Sequence, residues 1–405
     1  MKILQVNCVY NKGSTGKIVG EIHRSLIKNG IESVVCYGRG KRVREKNVYK
    51  LCSDFYAKCN NLRSRITGLM YGGCYLSTIG LIRIIKKENP DVVHLHCING
   101  YFVNIYRIVS WLKKEGIKTV ITLHAEFIYT GNCGYAFECD KWLTGCGKCP
   151  RLKQETKSWF FDRTHSSWRK MKRAFEGFGN NLVVVSVSDW LSERASRSPI
   201  LSGKRHEIVY NGVNAEVFHP YDTVELKNGL GIKDERIIFH ATRSFNSDSS
   251  DIKGGYYVLE LAKKMENEAV KFFVAGKHAK NLKVPKNVVL LGQVSDQKLL
   301  AQYYSMADVT VLASKRETFS MVTAESLCCG TPVVGFKAGA PEQIAIPEYS
   351  EFVEYGNIDS LKNAVESFLN KEKSRDISEK AVATYSNNTM TKNYEEIYGS
   401  FKQEN

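Results

Sequence analysis

The run Asp308–Phe336, "DVTVLASKRETFSMVTAESLCCGTPVVGF", changes its periodicity twice. It opens on a β-branched apolar stretch, passes through a helix-forming segment and returns through Gly-Thr-Pro to a second apolar stretch. Two near-continuously apolar strands joined by a helix make a parallel βαβ unit, because such strands are covered on both faces. Within the unit Glu317 and Glu325 stand eight residues apart, a little more than two helical turns. They can share one helix face, or Glu317 can sit in the loop before the helix and Glu325 inside it. A turn signal before the pair favours the second arrangement. Carboxylates held there can accept hydrogen bonds from sugar and ribose hydroxyls. Two solvated surface glutamates are the commoner fate of an isolated pair, so the surroundings have to decide.

The same alternation runs back through both halves of the chain. In the first half, "KILQVN", "ESVVCYG", "DVVHLH", "KTVITLH" and "NLVVVSVS" read as strands; in the second half, "RIIFHAT", "VKFFVAG" and "NVVLLG" precede the opening run. A turn-rich joint, "VYNGVN" at 209–214, separates the halves. With 405 residues, too many for one ordinary core, the expectation is an α/β protein of two facing, doubly wound Rossmann-like domains. Ligands of such sheets bind at the carboxyl ends of strands, which directs attention to an interdomain cleft.

Composition narrows the class. Hydrophobic residues make up 43% and charged residues 25%, as in soluble globular chains. The opening "MKILQVNCVY" lacks the apolar core and small-residue cleavage site of a signal peptide. The nearest approach to a membrane span, 66–82, is slightly short and carries four glycines. A cytoplasmic protein is expected. The net charge of +16 is uneven: residues 1–206 hold 35 Lys and Arg against 15 Asp and Glu (+20), and residues 207–405 hold 23 against 27 (−4). The first half therefore suits something anionic, whether lipid head groups, nucleic acid or a phosphorylated substrate.

After the first strand comes "NKGSTGKI" (11–18), which is not a Walker A loop, since Asn11 and Ile18 replace the required Gly and Ser or Thr. It remains a Gly-containing turn at a helix start, suited to phosphate or simply to a tight turn. No D-x-D triplet occurs in the chain.

Together these elements resemble the retaining family 4 glycosyltransferases of the GT-B fold. The resemblance rests on Glu317 and Glu325 with "GTPVV" (330–334), "IKGG" (252–255), "NGVN" (211–214), "TLHA" (122–125), the first glycine loop, and the C-terminal "YSNNTMTKNYEEIYGSF". It implies an acceptor-side domain over 1–206, a nucleotide-sugar domain over 207–385 and a closing helix over 386–405 that packs back on the first domain. It implies that Glu325 holds the ribose and Glu317 the donor sugar, with backbone N–H groups of Phe319, Ser320 and Met321. Lys253 and Arg243, with Gly13 from the facing domain, would neutralise the leaving diphosphate, where charge builds in the transition state. A longer insert than usual, "SFNSDSSDI", separates Arg243 from Lys253 and puts Arg243 in question. His124 would lie beside the reacting sugar carbon, with His96 and Asn99 toward the acceptor, His94 structural and Glu126 on the cleft rim. Diphosphate binding would need no catalytic metal, and retention would follow front-face displacement.

Four of the twelve cysteines are organised: Cys133, Cys139, Cys146 and Cys149, spaced C-x5-C-x6-C-x2-C. Four thiolates would fill a tetrahedral structural zinc site and leave no position for chemistry. Free thiols are the alternative, as are two disulfides, which a reducing compartment disfavours. Trp168, Met171, Phe175 and Phe178 recur at helical spacing among Arg163, Arg169, Lys170, Lys172 and Arg173. That stripe is either an interfacial membrane anchor or a core-facing stripe with a solvated basic face. The resulting expectation is a hexosyltransferase-type enzyme peripheral to the inner face of the cell membrane. It would move sugar from a UDP- or GDP-sugar to a polyprenyl-diphosphate-linked glycan of a surface polysaccharide, with no nucleic-acid partner. The rivals are a nucleotide-sugar epimerase of the same fold and a zinc-stabilised nucleic-acid-binding protein. The latter leaves the glutamate pair unexplained.

Overall fold

A computed structural model describes residues 1–374 and 376–401. The chain divides into two compact units, Met1–Tyr210 with the C-terminal segment from Met390, and Asn211–Thr389. The expected closing segment 386–405 contains a helix, Asn387–Ser400; residues 402–405 lie outside the described residues.

In the first unit the strands are β1 (Lys2–Asn7), β2 (Glu32–Tyr37), β3 (Val48–Lys50), β4 (Val92–Leu95), β5 (Thr119–Leu123), β6 (Leu182–Ser186) and β7 (Arg205–Ile208). Its helices are α1 (Gly13–Lys28), α2 (Asp54–Thr67), α3 (Tyr75–Glu88), α4 (Ile105–Lys114), α5 (Thr164–Phe175) and α6 (Asp189–Arg197). The second unit has β8 (Arg236–Ser244), β9 (Val270–Lys277), β10 (Val288–Gly292), β11 (Val309–Leu312), β12 (Val333–Phe336) and β13 (Ser350–Val353). Its helices are α7 (Val224–Gly229), α8 (Gly255–Lys264), α9 (Gln297–Met306), α10 (Met321–Cys328), α11 (Pro341–Ile344), α12 (Ile358–Leu369) and α13 (Ile377–Tyr385), before α14 (Asn387–Ser400).

Both sheets are wholly parallel, ordered β3-β2-β1-β4-β5-β6-β7 and β10-β9-β8-β11-β12-β13. In each the order of strand addition reverses between its first and fourth strands, at β1/β4 and at β8/β11, the switch point at which such sheets bind ligands. The inner strands are covered on both faces: β6 (LVVVS) and β11 (VTVL) are buried at every position. In the first unit Ile3, Val92, Val120 and Val183 pack against Ile18 and Ile22 of α1, and against Tyr394, Ile397 and Tyr398 of α14.

Two open questions of the sequence are answered here. The apolar run 66–82 is no single helix: α2 stops at Thr67, Gly68 caps it in the left-handed region at φ 68°, and α3 starts at Tyr75. Among the described residues no helix is long and apolar enough to cross a membrane. On α5 and just after it, Trp168, Met171, Phe175 and Phe178 are only 7, 1, 1 and 2% exposed. The stripe is therefore core, and Arg169, Lys170, Lys172 and Arg173 form its solvated face. Of the two alternatives for this helix, the interfacial anchor is therefore excluded.

Candidate active site

At the switch point of the second sheet lies a cavity of about 310 Å³. Its wall is Ala241, Thr242 and Arg243 at the end of β8, Leu312 and Ser314 after β11, and Lys253, Glu317, Tyr304 and Glu325. Arg243, which the long insert had put in question, thus lines the same cavity as Lys253. The insert is a folded loop. Phe245 is 1% exposed and joins the core, the Asn246 amide donates to Asp251 Oδ2 (2.7 Å), and Asp251 Oδ1 accepts from the Lys253 N–H (2.7 Å). Lys315 N–H then donates to Ile252 O at 2.8 Å, tying this loop to the one that carries Glu317.

Gly254 explains the Lys-Gly element. It adopts φ +72°, and a Cβ there would lie inside the van der Waals envelope of the Ala313 carbonyl. Only a glycine lets the Lys253 turn close against the end of β11. Lys253 Nζ meets Glu317 Oε1 at 2.7 Å. The Glu317 backbone is clamped to the segment after β12, its N–H donating to Ala338 O at 3.0 Å and its carbonyl accepting from Ala340 N at 3.3 Å. Glu317 lies before α10 and Glu325 within it, where Tyr304 O–H donates to Glu325 Oε2 at 3.3 Å. Ser320 is the α10 N-cap, at φ 98°; its Oγ accepts from Thr323 N at 3.2 Å. Met321 begins the helix, so the helix's positive end sits on the same loop as Glu317. Phe319 is 3% exposed and packs edge-on against Tyr385, a structural side chain. Beneath the cavity, His240 gives Nδ1 to Val311 O (2.9 Å), and burial, helped by Lys253, holds its pKa down to about 4.

In the first unit His124 follows β5 directly, and burial lowers its pKa to about 4. Its Nε2 lies 3.3 Å from His96 Nδ1, and His96 Nε2 lies 3.2 Å from Gln5 Oε1 on β1. With that oxygen accepting, His96 carries its proton on Nε2 and accepts from His124 Nε2–H. His96 is wholly buried, so it backs His124 and has no surface to offer an acceptor. Neighbouring His94, also fully buried, contacts Tyr398 OH (2.7 Å) and Thr122 Oγ1 (2.7 Å). Burial keeps both imidazoles well below their usual pKa. Asn99 is partly exposed in the loop after β4. Gly13 opens α1 at φ +66° with nothing within 4 Å of a Cβ position, so backbone conformation alone demands glycine there.

Glu126 is no rim residue. It is fully buried, accepting from Arg194 Nε (2.8 Å), Tyr129 O–H (2.8 Å) and Ala136 N–H (2.6 Å). It fastens the loop that carries the cysteines. Buried Trp142, with Trp168 Nε1–H donating to its carbonyl at 2.9 Å, fills that loop from inside. Cys133, Cys139, Cys146 and Cys149 are free thiols. The Cys133 thiol hydrogen-bonds Cys149 and brings the latter's pKa down to about 7, while Gly131 N–H donates to Cys146 Sγ at 3.1 Å. Among the described residues no group of three or more His, Cys, Asp or Glu stands in metal-holding geometry. The four thiols are neighbours without forming a ready tetrahedron.

Sequence reasoning missed Gln5, Tyr304, Tyr394 and Tyr398, since nothing in their local patterns marks them as partners of distant side chains.

Residues 15–217 match Glycosyltransferase Family 4, and residues 223–384 match Glycosyl transferases group 1. The Escherichia coli K12 chain named as the colanic acid biosynthesis glycosyl transferase WcaC is 22% identical over 370 residues, 85% of each chain. N-acetyl-alpha-D-glucosaminyl L-malate synthase of Bacillus anthracis is 24% identical over 335 residues, 78% of this chain and 77% of that one. Among solved structures, sucrose-phosphate synthase of Thermosynechococcus elongatus superposes with TM-score 0.69 at 14% identity over the whole of both chains. Anabaena HepE in complex with UDP-glucose gives 0.63 at 15%, covering 99% of this chain and 100% of that one. WaaG, a glycosyltransferase involved in lipopolysaccharide biosynthesis, gives 0.61 at 14%, covering 96% and 94%.

Proposed function

This chain belongs to glycosyltransferase family 4, and from that premise we propose that it transfers a hexose, with retention, from a UDP- or GDP-sugar to a lipid-linked glycan in surface-polysaccharide synthesis. The observation that carries the donor part is the cavity at the β8/β11 switch point, where Arg243 and Lys253 share one wall set with Glu317 and Glu325. Cations there match a diphosphate; carboxylates match hydroxyls. We assign Glu325 to the ribose and Glu317 to the sugar. The Lys253–Glu317 pair fixes both side chains before ligand arrives, so little ordering remains to be done on binding. Gly13, Phe319, Ser320 and Met321 are assigned through their backbone N–H groups.

In the proposed step the bond from the anomeric carbon to the diphosphate oxygen breaks while the acceptor hydroxyl bonds to that carbon from the same face. The acceptor's proton passes to the departing diphosphate oxygen. Lys253, Arg243 and the positive end of α10 stabilise the charge that accumulates there, and no divalent ion is assigned a part. His124 is neutral at pH 7, which suits a hydrogen bond to substrate and not proton donation. The relatives' roles in colanic acid and lipopolysaccharide synthesis favour a glycan acceptor.

The test is a melting screen of the full chain with UDP-, GDP-, ADP- and dTDP-sugars, repeated on Glu325→Ala. A ligand that binds only the folded state raises the midpoint. One nucleotide class should raise it, and the substitution should abolish most of the shift. No shift with any donor would overturn the assignment. Release of free sugar at full rate without acceptor would point to the epimerase instead.

A further inference from the structure

Helix α2 is amphipathic the wrong way round. Of its fourteen residues only Ala57 and Ser64 are buried, while Phe55, Leu62 and Ile66 are 76, 49 and 41% exposed. These three fall at i, i+7 and i+11, one stripe along the helix. At the helix's C-terminal end a loop carries three consecutive exposed aromatics, Trp159, Phe160 and Phe161, at 47, 69 and 52%. The loop is firmly seated. Trp159 N–H donates to Arg65 O (2.8 Å), buried Ser158 donates to Phe161 O (2.7 Å), and the Phe161 carbonyl packs onto Gly68. At the other end of α2, a groove of about 280 Å³ joins Tyr56 to Leu76, which is 75% exposed beside 49% exposed Tyr75. Among the described residues eleven large hydrophobics are exposed, and eight of them lie on these three neighbouring segments. Singly exposed apolar residues are ordinary, but such a concentration marks a surface that something covers.

The charges choose the occupant. Lys58 and Arg63 stand exposed on α2, Lys153 and Lys157 precede the aromatic loop, and the Arg163 guanidinium lies 5.6 Å from the Phe161 ring centre. The nearby acids are spoken for: Asp54 accepts from Gly40 N–H and pairs with Lys50, Glu155 pairs with Arg151, and Asp162 accepts from Cys149 and Thr164. Over residues 1–206 the balance is +20, which opposes a second copy of this chain and attracts an anionic surface.

We propose that α2, the start of α3 and the loop 158–161 form a membrane-docking face that inserts Trp159, Phe160 and Phe161 among anionic phospholipids. Aromatic side chains ringed by Lys and Arg are the chemistry of the lipid interface. The proposal deepens the lipid-linked reading above by naming where the bilayer sits. It assigns to this face the contact first sought on α5.

The experiment sediments the full chain with vesicles of phosphatidylcholine alone or of phosphatidylcholine with phosphatidylglycerol, neither holding donor or acceptor. Binding is expected only to the anionic vesicles and should weaken as salt rises. A triple variant, Trp159→Ser, Phe160→Ser and Phe161→Ser, should lower partitioning at least tenfold while keeping its melting midpoint and its nucleotide-sugar shift. Lys58→Glu with Arg63→Glu should do the same through charge. Because the vesicles hold no substrate, transfer activity can fail without touching this result, and docking can fail without touching transfer. Equal partitioning of wild type and triple variant would overturn the proposal. So would a lipid-free dimer that the triple variant abolishes, which would make the face an interface between copies.

Discussion

Gly254 tests the account of the donor cavity, and Gly231 supplies its control. Both adopt positive φ, +72° and +66°, so alanine at either pays the left-handed cost of about 1–2 kcal/mol. At Gly231 a Cβ meets nothing within 4 Å, whereas at Gly254 it would overlap the Ala313 carbonyl, which is backbone and cannot rotate away. Overpacking of that kind adds about 1–3 kcal/mol. Gly254→Ala should therefore cost about 2–5 kcal/mol against about 1–2 for Gly231→Ala. For a unit of this size each kcal/mol moves the midpoint by about 2–4 °C. Thermal melts of the full chain should show a drop of about 10 °C against about 4 °C. Lys253 immediately precedes the glycine, so Gly254→Ala should also shrink the nucleotide-sugar shift, and Gly231→Ala should leave it intact. Equal destabilisation by the two substitutions, within about 0.5 kcal/mol, would refute the claim that the Lys-Gly turn closes against β11.

Glu126→Ala should destabilise the first unit by about 3–5 kcal/mol, because it strands Arg194 and orphans the Ala136 amide; urea unfolding reads this, and a loss under about 1 kcal/mol would contradict it. Adding Arg194→Met should recover part of the loss. Stability should fall as pH drops from about 6.5 to about 4, since His240 and His124 titrate at about 4 when folded and the unfolded chain binds protons first. At His240 alone that is about 3 kcal/mol, present above pH ~6.5 and lost on acidification, and His240→Gln should flatten the urea-midpoint profile across that window. For the cysteine quartet we propose a single structural zinc, which would draw the four thiols together as its ligands. Metal analysis of protein purified without chelator should then find about one zinc per chain, absent in Cys146→Ser with Cys149→Ser; metal-free wild type would dispose of it.

What the sequence could show is what depends on near neighbours. All ten strands read from apolar runs are present, and Glu317 lies before α10 with Glu325 inside it, the second of the two arrangements that the spacing allowed. The strands missed were β3, β7 and β13, sequences VYK, RHEI and SEFV. Each is the outermost strand of its sheet and none has a buried residue. An edge strand need not carry the apolar run that double-sided burial imposes, so at these three no pattern remained to be read, whereas the fourth edge strand, β10, kept its run VVLLG and was read. The α5 stripe failed differently: a basic amphipathic helix has the same sequence whether its apolar face meets lipid or core, and only its neighbours decide. By the same token, the stripe Phe55, Leu62 and Ile66 on α2 has the spacing of an ordinary inner helix face, and only its exposure in the fold sets it apart.

The histidines show why a site can be half legible. His94 and His96 sit two apart on one strand face, as their spacing says, with ring centres 3.8 Å apart. Their different duties come from partners far along the chain. His94 is spanned by Thr122 and by Tyr398, 304 residues away, and Tyr394 closes on the same threonine at 3.0 Å. His96 instead links Gln5, 91 residues back, to His124. A buried neutral imidazole needs one donor and one acceptor to satisfy it, so once Tyr398 of α14 and Thr122 of β5 occupy the two nitrogens of His94, it is His96 that contacts His124. Removing the hydroxyl by Tyr398→Phe therefore perturbs a structural histidine, whereas Gln5→Leu acts on the proton arrangement of His124 itself. The two changes should separate in a transfer assay: the first lowers stability with activity per folded molecule retained, and the second lowers turnover with the fold retained. Equal effects on both readouts would mean that the histidines form one undivided network and that His124 has no orienting partner of its own.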